Sequence, residues 1–438
     1  MGEGKAVTGE NLTGAGVAAA TPDQEEVTPS GISGRIGSLD FIRGIAVMGI
    51  LFANITAFGH SFMVYLWPPA MPGGPTEGDK IVWLIQYVFI DHKMRGLFTL
   101  LFGAGMMLFV EKAWGRGSGR WLQFRRLLWL LMFGLIHFYF IWFGDILQLY
   151  AVWGIIALPM MKWKAKTQLL TGLALYGLGT IAMAAMLGGQ YFIATNPAVA
   201  ANVSEETRTE IAQAEDKARK GIEEDLALYQ RGSYPDFVRH QIIDETKKNI
   251  GGQAFGLFET LGMILMGMAL YRFGLFSGGF EPEVMRFWGW TGLVGGAIAS
   301  AGLGLWPYLA DFPFFLTFFV FQGLMMIPRL AFVMGLLTLL VLWAPRATQG
   351  WLGQRVVAVG RMAFSNYLGT SIVMLFVFSG WALGLYGKLH RIELFGIVLL
   401  AWVVMLVWSK PWLERFRFGP LEWLWRCLTY WKLFSIRR

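Results

Sequence analysis

Arg125-Arg126-Leu127-Leu128-Trp129-Leu130-Leu131-Met132-Phe133-Gly134-Leu135-Ile136-His137-Phe138-Tyr139-Phe140-Ile141-Trp142-Phe143-Gly144-Asp145 is a strongly apolar stretch with a histidine inside it and an aspartate closing it. Its apolar length matches the roughly 20 residues that cross a hydrocarbon core of about 30 Å. A charged side chain at such depth costs about 2.5–3.5 kcal/mol on insertion scales, so residues kept there mark function. Similar apolar runs recur along most of the 438 residues, 55% of which are hydrophobic and only 15% charged. In lipid the backbone must satisfy its own hydrogen bonds, so these runs read as helices. The expected fold is an all-α polytopic membrane bundle.

Ten spans are expected, at about 39–60, 94–111, 126–143, 146–161, 168–189, 252–271, 285–305, 313–344, 362–381 and 393–410. The eighth is too long for one straight crossing and carries Pro328 and Arg329 near its middle, so it is either kinked or includes a re-entrant piece. Positive charge sets the orientation. Lys112, Arg116, Arg120, Arg125 and Arg126, the trio Lys162, Lys164 and Lys166, then Arg346, Arg355 and Arg361, and the basic residues after Lys410 all fall on one side of a ten-span chain. That side is expected to be the cytoplasm, with both termini there and the protein in a bacterial inner membrane. The net charge of +8 is then orientation, and no basic, aromatic-interleaved patch suggests nucleic acid.

Four regions follow. Residues 1–34 are polar, rich in Gly, Ala and Thr, and read as a disordered cytoplasmic tail. Residues 35–189 form an N-terminal membrane bundle, and 251–432 a C-terminal one. Between them, 190–250 alternates acidic and basic residues, as solvated helices capping the outer face would. Residues 81–91 are too short to cross and fit a surface or half-inserted helix. Glycines such as Gly103, Gly105, Gly295 and Gly296 read as points of close helix approach. The single Cys427 excludes an intrachain disulfide, and neither a phosphate-binding glycine loop nor a zinc spacing is present.

Polar residues within the spans carry the chemistry. Asp40 and Arg43 are three apart on span one and can pair. Asn54 lies 14 residues on from Asp40, roughly 21 Å along the helix axis. His137 stands 11 residues past Arg126, at comparable depth. Asp145, eight residues further, shares its helix face if the helix continues, so water, substrate or a side chain would have to bridge the two. Asp91-His92-Lys93-Met94-Arg95 places four ionisable groups at the outer mouth of span two, where Lys93 and Arg95 could hold a phosphate or carboxylate. His60 reads as interfacial.

Taken together, these blocks resemble the bacterial YeiB-like inner-membrane proteins. The resemblance rests on Leu39-Asp40-x-x-Arg43-Gly44 through Asn54-Ile55, Lys93-Met94-Arg95-x-Leu97-Phe98, Ile136-His137 through Trp142-x-Gly144-Asp145, Gly360-Arg361-Met362-Ala363-x-Ser365-Asn366-Tyr367, and Gly419-Pro420-Leu421-Glu422-Trp423-Leu424-Trp425-Arg426. It spans about 35–432, and its C-terminal part is similar to the domain of unknown function these proteins share. The opening block is distantly similar to lysosomal heparan-α-glucosaminide N-acetyltransferase and, more loosely, to acyltransferase-three membrane proteins. That likeness implies an acyl-CoA co-substrate without a permanently bound cofactor, and a glycan or lipid acceptor beyond the membrane. Asn54 matches the asparagine of the lysosomal enzyme's motif; the following stretch departs from it, which makes His137 this family's own histidine. The expected catalytic set is His137 as general base, Asp145 as its support and Asn54 as oxyanion donor. Asp40, Arg43, Lys93, Arg95, Asn366, Glu422 and Arg426 are the expected substrate contacts. The alternative is a lipid- or solute-binding protein or transporter with a polar cavity; membrane lipids are partners in either case, and a homodimer is left open.

Overall fold

Apolar side chains dominate the runs that become helices, and among the described residues the only other pairing is an isolated bridge between Phe416 and Arg437. The structure, a computed structural model, describes Met1 and residues 37–114 and 119–438. The expected tail over 1–34, together with Arg116, lies outside the described residues, as does the side chain of Lys112.

The helices that position the site run as follows: α1 (Gly37–Gly59), α2 (Glu77–Phe89), α3 (Lys93–Trp114), α4 (Arg120–Phe140), α5 (Leu147–Ala157) and α6 (Ala165–Thr195). Then come α7 (Ala214–Arg231), α8 (Tyr234–Arg272), α9 (Pro282–Leu309), α10 (Phe314–Leu324), α11 (Met326–Ala347), α12 (Trp351–Arg361), α13 (Ala363–Phe378), α14 (Arg391–Arg415) and α15 (Pro420–Tyr430). Seven helices are long and apolar enough to cross a membrane among the described residues, or eight if α12 and α13, bent by 81° at Met362, act as one span. This is a polytopic helical membrane protein. The two remaining expected spans are α4 and α5, and α5 is 11 residues long, about 16 Å at 1.5 Å per residue. They form a hairpin whose tip, residues 141–146, holds the non-helical backbone.

One expectation changes here and one holds. Residues 81–91 do not stand as a separate surface or half-inserted helix: α2 runs on into α3 to make one 35-residue candidate span, Glu77–Glu111, and Trp83 and Tyr87 are fully buried. The eighth expected span is interrupted, as expected, into α10 and α11, parted by a turn at Met325. Pro328 sits in the first turn of α11, where its missing N–H costs nothing. Of the glycines named, Gly103 lies against the Ile264 carbonyl where α3 crosses α8, and Gly296 against Phe332 where α9 crosses α11. Gly105 and Gly295 face open space.

Three π-helical segments interrupt the regular ladders, at Gln241–Glu245 and Leu257–Leu261 in α8 and at Phe319–Leu324 in α10. Such segments rotate the following side chains and recur at functional sites.

Candidate functional site

His137 and Asp145 are in direct contact, contrary to the expectation that a bridge would be needed. The reason is local. The N–H groups of Ile141 and Trp142 both donate to the His137 carbonyl, at 2.9 and 2.8 Å, and end α4 there. The chain then turns back through Gly144, and Asp145 arrives beside the ring it follows by eight residues. Its Oδ1 lies 2.9 Å from His137 Nδ1, and neither side chain has any exposure. Its Oδ2 accepts the Gln148 N–H at 2.6 Å, so the same carboxylate caps the start of α5.

This pairing fixes the imidazole. A carboxylate only accepts hydrogen bonds, so Nδ1 carries the proton and Nε2 keeps its lone pair in the neutral ring. Nε2 is buried and has no hydrogen-bond partner among the described residues, and the same holds for Trp142 Nε1. The two rings lie 6.4 Å apart, and Tyr367 packs against His137 at 5.2 Å. The Tyr367 hydroxyl accepts the Ile146 N–H at 3.3 Å and donates to the Gly144 carbonyl at 3.5 Å, pinning the hairpin tip. A general base needs an orienting partner on one nitrogen and a free lone pair on the other, and both are present.

Asn54 is half-buried and makes no hydrogen bond recorded among the described residues. One helical turn beyond it, Phe58 stacks on Trp142 at 4.0 Å. Asn54 therefore belongs to the stripe of α1 that faces the tip, though no contact joins it to His137.

The first half of α8 clamps the hairpin. Tyr234 Oη donates to the Phe140 carbonyl at 2.9 Å, Thr246 Oγ1 meets Tyr139 Oη at 3.3 Å, and Asn249 Nδ2 donates to Gln148 Oε1 at 3.1 Å. From α7, Asp225 accepts the Ser61 hydroxyl at 2.6 Å, just past the end of α1. Burial pushes the Asp225 carboxyl above its ordinary range, with the Ser61 hydrogen bond opposing.

The expected substrate contacts divide. Asp40 and Arg43 pair at 2.7 Å, as their spacing suggests. Lys93 is fully buried and donates to the Tyr87 carbonyl. Arg95 donates from one nitrogen to both Glu259 oxygens, at 2.7 and 2.8 Å. His60 is buried, with Nε2 at 2.7 Å from the Leu389 carbonyl. Asn366 braces three helices, donating to the Val359 carbonyl and Ser409 Oγ and accepting from Trp408 Nε1. Glu422 caps α13 by accepting the N–H groups of Phe364 and Ser365. Arg426 stacks on Phe418 with its guanidinium 4.2 Å from the ring centre.

Sequence reasoning missed a second polar centre. Glu259 lies in a π-helical segment of α8 and meets Arg95 of α3 and Arg329 of α11. An acidic residue in an apolar run, Gly256-Leu257-Phe258-Glu259-Thr260-Leu261-Gly262, was the available signal. Arg391 was equally overlooked: it is buried, reaches Gln86 Oε1 at 3.1 Å, and takes Asp79 on its backbone N–H at 2.7 Å.

Comparison with known proteins agrees with the blocks quoted above. Protein YxaH of Bacillus subtilis (strain 168), described as uncharacterized, is 33% identical over 423 residues, covering 90% of this chain and 94% of its own. YeiB of Escherichia coli (strain K12), likewise uncharacterized, is 31% identical over 397 residues, with 90% and 95% covered. The chain belongs to the YeiB-like family. Residues 270–432 match the family described as protein of unknown function (DUF418), which places α9 to α15 in it and leaves the His137–Asp145 hairpin in the part before it. No solved structure matches.

Proposed function

We propose that this protein is an acyltransferase of the bacterial inner membrane, with ten membrane-embedded helical segments and both termini in the cytoplasm. The eight spans described above plus the two arms of the α4–α5 hairpin make that number. Lys162, Lys164 and Lys166, then Arg346, Arg415 and Arg417 fall on one side under this arrangement, in keeping with the positive-inside rule. Residues 196–233 then lie outside.

The observation that carries the reading is the buried His137 whose Nδ1 is held by Asp145 while Nε2 is unpaired. An acceptor hydroxyl or amine gives its proton to Nε2 as its oxygen or nitrogen attacks the thioester carbonyl of acyl-CoA. The carbon–sulfur bond breaks, and the coenzyme thiolate leaves with the proton returned by His137. Asp145 holds the ring in one tautomer and steadies the imidazolium between those two steps. Trp142 Nε1, buried without a partner among the described residues, and the Asn54 amide are the donors this reading assigns to the developing oxyanion. His137 stands about 16 Å above Arg126 along α4, a depth that an extended acyl-pantetheine arm entering from the basic face can bridge.

The assay is exchange of labelled acyl groups between acyl-CoA and acceptors extracted with the protein. His137→Gln keeps polarity and bulk but cannot take the proton, and its turnover is expected to fall about 100- to 10,000-fold. Full transfer by that variant would remove His137 from the chemistry. The break between α10 and α11 favours a second reading, a solute or lipid carrier, since interrupted helices line binding sites in transporters. Movement of substrate across vesicles without covalent change would select it.

A further inference from the structure

The strongest unexplained chemistry outside the His137 site is the guanidinium of Arg329. It is 4% exposed, yet among the described residues its only hydrogen bond runs from Nε to Tyr176 Oη at 3.2 Å. Its Nη1 stands 3.4 Å from Glu259 without making one. A guanidinium carries five N–H donors, so four are left unused. Glu259 is already engaged by Arg95, so two guanidinium groups face one carboxylate and the centre keeps a net positive charge.

Arg329 lines a cleft of about 40 Å³ with Glu259, Gln322, Phe258, Phe321 and Met183. At about 10–15 Å³ per water this holds a few waters or one anionic group of phosphate or carboxylate size. Phe255 also lines it and is 41% exposed, on a stretch of α8 where Ile250 likewise points outward. The rim of the cleft is thus apolar and exposed, on a helix long and apolar enough to cross a membrane. A buried cation behind an apolar rim selects an amphiphile: charge for the head, aromatic and thioether walls for the first methylenes of the tail.

We propose that the Arg329 cleft is a binding site for an anionic lipid, whose phosphate or carboxylate oxygens take the free Nη donors while its chain leaves past Phe258 and Phe255. The site stands apart from the acyl-transfer reading and survives its failure.

The test uses the full chain in a neutral detergent, with the thermal midpoint followed against dioleoyl phosphatidic acid, dioleoylglycerol or inorganic phosphate. Phosphatidic acid is expected to raise the midpoint saturably, dioleoylglycerol to leave it unchanged, and phosphate alone to act only weakly. Arg329→Gln should weaken the apparent affinity for phosphatidic acid about tenfold or more, the worth of a charged hydrogen bond. Should that variant fold poorly, the paired change Arg329→Gln with Glu259→Gln removes one charge of each sign and is read the same way. Equal responses in wild type and variants would overturn the site. Full stabilisation by inorganic phosphate alone would overturn its lipid character, and a response to dioleoylglycerol would overturn the role of the charge.

Discussion

Replacing Glu422 by Ala and by Gln separates a ligand contact from a helix cap. One carboxylate oxygen accepts the N–H groups of Phe364 and Ser365, at 2.8 and 3.0 Å, and the other accepts the Ser365 hydroxyl. These are first-turn donors of α13, which begins just after the 81° bend and has no other acceptor for them. Alanine leaves two buried N–H groups unpaired at about 1–3 kcal/mol each, or about 2–6 kcal/mol together. Glutamine keeps an acceptor oxygen in place, and its amide can donate to Ser365. Burial pushes the Glu422 carboxyl above its ordinary range, against the hydrogen bonds from Ser365 and Phe364. A folded-state value above the unfolded one gives stability that is present below the unfolded pKa and lost as pH rises through the folded value. The neutral form is thus the one the fold prefers, and glutamine imitates it. Intrinsic tryptophan melting in detergent is expected to show a midpoint many degrees lower for Glu422→Ala. Glu422→Gln is expected close to wild type, with a flatter decline from acid to neutral pH. An alanine variant that melts with the wild type but loses ligand response would refute the cap and restore Glu422 as a substrate contact.

Asp145→Asn and Asn54→Ala should both remain monodisperse in detergent and lose acyl exchange; aggregation of both would make them scaffold residues instead. In a background lacking Cys427, a cysteine at Ser204 should react with an impermeant maleimide on intact cells and one at Ser118 should not, and the reverse pattern would invert the topology. Asp225→Asn should raise the melting midpoint at pH 8 relative to wild type but not at pH 4, because the raised carboxyl of Asp225 costs stability only when ionised. A wild-type advantage at pH 8 would show that the Ser61 bond outweighs burial.

The membrane class, most helix positions and the polar exceptions at His137 and Asp145 were legible because lipid exclusion imposes long apolar runs and makes each polar residue within them conspicuous. Contacts were not. The eight-residue step from His137 to Asp145 was measured along a continuing helix, whereas α4 closes at Phe140 and folds Asp145 back. Lys93 looked interfacial because the preceding run seemed too short to cross; α2 continues into α3 and carries the lysine inward. Glu422 and Asn366 stand out in the quoted blocks, but motifs do not distinguish a cap or brace from a ligand contact. Glu259 and Arg329 lie 70 residues apart in sequence, and only packing shows that they meet.

The clamp on the hairpin also orders events during synthesis. Gln148 emerges from the ribosome 101 residues before Asn249, its partner in α8. At roughly 5–20 residues per second that is about 5–20 s in which the hairpin tip waits without its outer support. During that interval the turn at residues 141–146 is held by contacts from its own two arms and the helices already inserted; Tyr367, which pins it last, is made more than 200 residues after Ile146. The His137–Asp145 pair is thus encoded early but locked late, and a chain truncated before α13 would present the two side chains without the geometry that makes them a pair.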